Sequence, residues 1–114
     1  MTDVGQSAEG RGDELELAWK GWLEQAGARV ERSPKWSRED MQGIDLKVIC
    51  GRMIPCQVKS SLPLALKWAA GKLGALPAML VGPPPSGKGT PEAAARILKA
   101  CQAGQWYISQ EVAA

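Results

Sequence analysis

The sequence of 114 residues contains no histidine. That absence removes Ser-His and Cys-His nucleophile pairs and every His-ligated metal site, so any catalysis has to run on carboxylates, amides and lysine. Cysteine is scarce as well: Cys50, Cys56 and Cys101 are odd in number and show no C-x-x-C spacing. Neither a disulfide framework nor a zinc site is expected, and all three are read as small buried apolar residues. No apolar run approaches the roughly eighteen residues that cross a bilayer. The polar, acidic start MTDVGQSAEGRGDE also lacks the basic beginning and apolar middle of a secretory signal. These absences lead us to expect a cytoplasmic address with no membrane partner.

What is present suits one globular domain, since the apolar share is 45% and a chain of this length has room for a single secure core. Charge is unevenly placed. Residues 1–46 hold ten acids and six bases, residues 47–114 two acids and eight bases, giving −4 and +6. A basic half is compatible with a phosphate-bearing partner.

The first twelve residues are Gly-rich and polar without apolar periodicity, and are read as a flexible tail ahead of a domain spanning 13–114. From Asp13 to Ala26, apolar residues at Leu15, Trp19, Trp22, Leu23 and Ala26 fall on one helical face, and Gly27 supplies a stop. Trp19 and Trp22 are assigned to the core on that spacing. A short strand is expected at 28–32, a polar loop SPKWSREDMQG after it, a strand over 44–50 and another from Met53 or Ile54 to Lys59. A helix from Leu62 to about Lys72 and a buried strand over 77–81 follow. The helix at 91–102 has Thr90 as its cap and Pro91 in first position, and a closing strand is expected at 106–109. This order describes an α/β sandwich: a central mixed β-sheet flanked by helices.

The two strands at 44–59 alternate. Ile44, Leu46, Val48 and Cys50 share one face, and Ile54, Cys56 and Val58 share one face of the partner. Burying both sets together in an antiparallel pair requires the paired residue numbers to sum to an even value. Pairing Cys50 with Ile54 satisfies this, with Gly51, Arg52 and Met53 as the loop, and excludes a two-residue turn. Asp45 then lies roughly across from Lys59 and Lys47 across from Gln57, so a carboxylate, an amide oxygen and an ammonium converge. Oxygen donors of this kind suit Mg²⁺ or Mn²⁺ and phosphodiester chemistry, with Lys59 orienting or deprotonating water. The same pairing also reads as a solvated surface ion pair worth under about 1 kcal/mol.

GIDLKVI followed by CQVKSS, with Glu16 eleven residues before Gly27 in ELELAWKGWLEQAG, resembles the core of PD-(D/E)xK nucleases. The likeness runs from Glu14 to Ser61 and is strongest to the Gln-x-Lys branch, seen in Mrr-type restriction endonucleases and related Holliday junction resolvases. It implies a restriction-endonuclease-like fold and a Mg²⁺- or Mn²⁺-dependent DNA endonuclease active in recombination or repair. It further implies that Asp45 is the metal-bridging carboxylate, Gln57 stands where a glutamate is usual, Lys59 is the catalytic lysine and Glu16 lends a further carboxylate, with Glu14 as the fallback. The Val58 backbone carbonyl joins this ligand set. Two departures stand out: the neutral amide of Gln57, and Gly43-Ile44 in place of a proline before Asp45. DNA is the expected partner, with branched or junction DNA the leading substrate and a homodimer the expected assembly. A non-catalytic nucleic-acid-binding module on the same fold is the alternative.

GPPPSGKGT at 82–90 fits the phosphate-binding pattern G-x-x-x-x-G-K. Such a loop works through consecutive backbone N–H groups, which Pro83, Pro84 and Pro85 lack, and only 24 residues follow Thr90. No nucleotide cofactor is therefore expected, and Lys88 is read as a contact to a phosphate backbone. Trp36, between Lys35 and Arg38, is read either as a group that stacks on or wedges into nucleic acid or as a cover for the site. Lys35, Arg38, Lys47, Ser60 and Ser61 complete the expected nucleic-acid contacts.

Overall fold

The helical spacing of Leu15, Trp19, Trp22, Leu23 and Ala26 winds the amino-terminal segment into α1 (Val4–Gln25) and turns the two tryptophans and Leu23 into the core. The computed structural model describes residues 4–110, with side chains from residue 12 onward. The helical backbone starts well before Asp13, because a helix already nucleated by its packed face propagates through polar residues. Of the expected tail at 1–12, residues 1–3 and the side chains of 4–11 lie outside the described residues. Gly27 closes the helix at φ +101°, a backbone angle that costs a glycine nothing.

The remaining elements are β1 (Arg29–Arg32), α2 (Arg38–Met41), β2 (Leu46–Cys50), β3 (Arg52–Lys59), α3 (Leu62–Ala70), β4 (Ala78–Val81), α4 (Pro91–Gln102) and β5 (Tyr107–Ile108). They form one five-stranded mixed sheet in the order β1-β2-β3-β4-β5. The first three strands run antiparallel, while β4 and β5 join in parallel. The general α/β class expected from the pattern is thus observed. α4 matches its expected bounds: Thr90 Oγ1 accepts the Ala93 N–H at 3.2 Å and Pro91 takes a first-turn position where no N–H is needed.

Helices lie on both sides of the sheet. The larger core joins Trp19, Trp22, Leu23 and Ala26 of α1 and Ala94, Ile97, Leu98 and Cys101 of α4 to Leu46, Val48, Ile54, Cys56 and Val58. A smaller cluster of Ala65, Met79 and Val81, with Leu62 and Trp68 packed against it, lies under α3. Among the described residues no helix is long and apolar enough to cross a membrane.

Three expectations change. The stretch 33–43 is not wholly loop, because Ser37 caps a single helical turn, its side chain accepting the Asp40 N–H. Cys50 is exposed, since it ends β2 beside the turn, whereas Cys56 and Cys101 are buried as expected. The β2–β3 register is also shifted: Cys50 pairs with Arg52, Val48 with Ile54 and Leu46 with Cys56. The turn closes on Gly51 alone at φ +82°, and the paired numbers sum to 102 where the expected register sums to 104. Both sums are even, so the same faces are buried.

Candidate active site

The shifted register rearranges the polar face. Lys47 now stands opposite Pro55, not Gln57, and its ammonium reaches Glu39 at 3.9 Å. Asp45 sits just before β2, where its N–H donates to the Cys56 carbonyl at 2.8 Å and its Oδ2 accepts the Val58 N–H at 2.9 Å. It is therefore tied to β3 by backbone and side chain together. The Asp45 carbonyl, in turn, accepts the Ser33 N–H at 3.0 Å, which anchors the start of the 33–43 segment beside it.

Glu16, Asp45, Gln57, Val58, Lys59 and Ser60 line one cleft of about 390 Å³, together with Gly12, Leu15 and Leu64. Residues of α1, β3 and α3 thus meet around the carboxylate that precedes β2. Glu14 is exposed and takes no part, so the helix presents Glu16. Among the described residues no three His, Cys, Asp or Glu side chains gather as a metal cluster. The donors of the cleft are two carboxylates, an amide and backbone.

Electrostatics mark the same place. Burial pushes the Asp45 carboxyl up to about 6, with the nearby Glu16 and Asp40 charges adding to the rise and the Val58 N–H and Lys59 opposing it. Gln57 is only 5% exposed, and its Oε1 is buried with no hydrogen-bond partner among the described residues. An unpaired buried acceptor costs of the order of 1–3 kcal/mol, and this one faces the cleft, where a ligand could satisfy it.

Several residues that shape the cleft carry no signal in the local pattern. Arg32, at the end of β1, donates to Glu16 Oε1 from Nε at 3.2 Å and from Nη2 at 2.9 Å, and from Nη2 to Asp13 Oδ1 at 3.1 Å. Partial burial lowers the Arg32 pKa, but the hydrogen bond and charge of Glu16, with those of Asp13, outweigh it and leave it raised. Trp68 of α3 is the second. Its ring lies 6.0 Å from Lys59 Nζ and 4.8 Å from Lys72 Nζ. Gly43 is the third: at φ +86°, a Cβ there would collide with the Trp68 ring and come 3.2 Å from Gln57 Oε1. Glycine at this point is what lets the backbone lie against both side chains.

Of the expected nucleic-acid contacts, Ser60 alone lines the cleft. Ser61 accepts the Leu64 N–H as the cap of α3. Lys35 reaches Asp13 at 3.8 Å, and Arg38 opens α2. Trp36 stands 83% exposed at φ +65°, its N–H held by Asp40 Oδ2 at 2.9 Å, so it does not cover the site. Lys88 is exposed on the 82–90 segment, which lies against α1: the Gly82 carbonyl accepts the Trp19 Nε1–H at 2.8 Å, and a Cβ at Gly89 would strike the Trp22 carbonyl. Comparison with family models, curated proteins and solved structures finds no match. Function therefore rests on the geometry of this cleft.

Proposed function

We propose that the chain is a divalent-metal-dependent DNA endonuclease of the PD-(D/E)xK type. The observation that carries this reading is the meeting of Glu16, Asp45, Gln57 and Lys59 in one cleft, contributed by segments far apart in sequence. The order of a helix, three antiparallel strands, a helix and a parallel strand also fits a restriction-endonuclease-like sandwich.

The donors fit Mg²⁺ or Mn²⁺. Asp45 and Glu16 offer carboxylates, Gln57 an amide oxygen without a partner among the described residues and Val58 a backbone carbonyl, a set of hard oxygens that such cations accept alongside water. When bound, the cation supplies positive charge to the scissile phosphate and its leaving oxygen. Lys59 orients the attacking water and stabilises the negative charge that builds on phosphorus in the transition state. Asp45, held by the Val58 N–H, keeps one carboxylate oxygen, Oδ1, clear of that bond and available to the cation. Trp36, Lys35, Arg38, Lys47, Ser60, Ser61 and Lys88 are assigned to the DNA backbone and its bases.

Branched DNA met in the cytoplasm is the substrate we favour, and a homodimer the assembly, because two copies would place two cuts on a junction. The neutral Gln57, where a glutamate is usual in the family this chain resembles, supports one other reading: a nucleic-acid-binding module that does not cut. Incubating the protein with linear, nicked, flapped and four-way DNA in Mg²⁺ or Mn²⁺ separates the two. Cleavage that disappears in Asp45→Ala and Lys59→Ala establishes the nuclease; binding without cutting in either metal leaves only the module.

A further inference from the structure

Glu16 is held between opposite charges. On one side the Arg32 guanidinium makes two hydrogen bonds to a single oxygen, Oε1; on the other, the Glu16 charge is felt by Asp45 across the cleft. The Glu16 side chain is 20% exposed against 32% for Arg32, so the contact is part-buried and only partly screened. The second oxygen, Oε2, takes part in neither bond. Arg32 is shared: its Nη2 also reaches Asp13 one helical turn earlier, and Lys35 approaches Asp13 from outside.

We propose that Arg32 is a positioning residue that fixes Glu16 by Oε1, leaves Oε2 to the cleft, and at the same time weakens the site's hold on a divalent cation. This rests on the nuclease reading and adds a trade-off to it. Two donors of one planar guanidinium on Oε1 pin that oxygen in place, which a floppy glutamate beside a second carboxylate does not achieve unaided. Its positive charge also opposes the arriving cation, so it places the ligand while lowering affinity. Arg32 touches neither substrate nor cation and works only through Glu16. Removing it therefore moves affinity and rate in opposite directions, which a residue of purely structural importance does not do.

The test titrates Mn²⁺ into metal-free protein by calorimetry without DNA, and measures cleavage separately at saturating Mn²⁺. Arg32→Met is expected to bind Mn²⁺ about threefold to tenfold more tightly, because one positive charge at partly screened range is lost. It is expected to cut at least about tenfold more slowly, from loss of ligand placement. Arg32→Lys keeps the charge without the fork, so it is expected to bind Mn²⁺ like the parent yet cut slowly. Asp13→Asn removes a competing carboxylate and is expected to weaken Mn²⁺ binding, an outcome that remains readable if Arg32→Met fails to fold. Unchanged or weaker Mn²⁺ binding in a folded Arg32→Met, or unchanged binding in Asp13→Asn, overturns the proposal. A parent protein that takes up no Mn²⁺ defeats the nuclease reading, and this inference falls with it.

Discussion

Asp45 Oδ2 accepts the backbone N–H of Val58 at 2.9 Å, a bond that reaches from the residue just before one strand to the second-last residue of the next. It holds a part-buried carboxylate in place although burial disfavours its charge.

The first prediction concerns that charge. With the Asp45 carboxyl raised to about 6 from an ordinary 3.8, the folded protein binds this proton more tightly than the unfolded chain. The stabilisation is complete below about pH 4 and is lost as pH rises through 6, so the ionised group burdens the fold at neutral pH. Asp45→Asn keeps an oxygen for the Val58 N–H and removes the charge. We expect a higher melting temperature at pH 7.5, a smaller difference at pH 4, and no metal-dependent cleavage. A lower melting temperature in the variant at pH 7.5 would contradict the assigned cause.

Gln57 makes a second case. Gln57→Glu places an ionisable group at a position only 5% exposed, so without metal we expect a loss of about 1–3 kcal/mol in denaturant unfolding at pH 7.5. Saturating Mn²⁺ should recover most of that loss, since the new carboxylate is a stronger ligand than the amide. Failure of Mn²⁺ to protect the variant beyond the parent speaks against Gln57 as a ligand.

Lys59 should matter for rate and little for stability, its side chain being only half-buried at the rim of the cleft. Lys59→Met is expected to slow cleavage by about 100-fold or more at saturating metal, with an unfolding midpoint close to that of the parent. Gel assays and urea denaturation on the same preparation check both halves.

Gly43 is expected to be intolerant. Gly43→Ala must adopt φ +86° and meet the Trp68 ring and Gln57 Oε1 at once, so we expect a loss of the order of 2 kcal/mol or more and impaired cleavage. Gly27→Ala, equally strained at φ +101° but facing open space, supplies the control. It should cost less in the same urea titration.

The 82–90 segment yields the last prediction. Gly89→Ala should destabilise the fold because a Cβ there strikes the Trp22 carbonyl, whereas exposed Lys88→Ala should leave stability unchanged. Neither the parent nor Lys88→Ala should bind ATP in equilibrium dialysis; binding abolished by Lys88→Ala would revive the phosphate-loop reading.

Local order was legible in the residues themselves. The cap and first-turn proline of α4, the apolar stripe of α1 and the alternation in β2 and β3 each depend on neighbours a few positions away. Parity of the hairpin was legible for the same reason, because a strand's side chains repeat every two residues. Its absolute register was not. A shift of two residues buries identical faces, and only the tight closure on Gly51 decides that Lys47 meets Pro55 and leaves the cleft. Likewise the grip of Arg32 on Glu16 and the press of Trp68 on Gly43 arise where segments distant in the chain come together. The sequence alone determined which residue types were available for chemistry and the elements that carry them. Packing between layers decided which of them share a cleft, since the rotation of a helix over a sheet is set by the whole core and not by any one stretch.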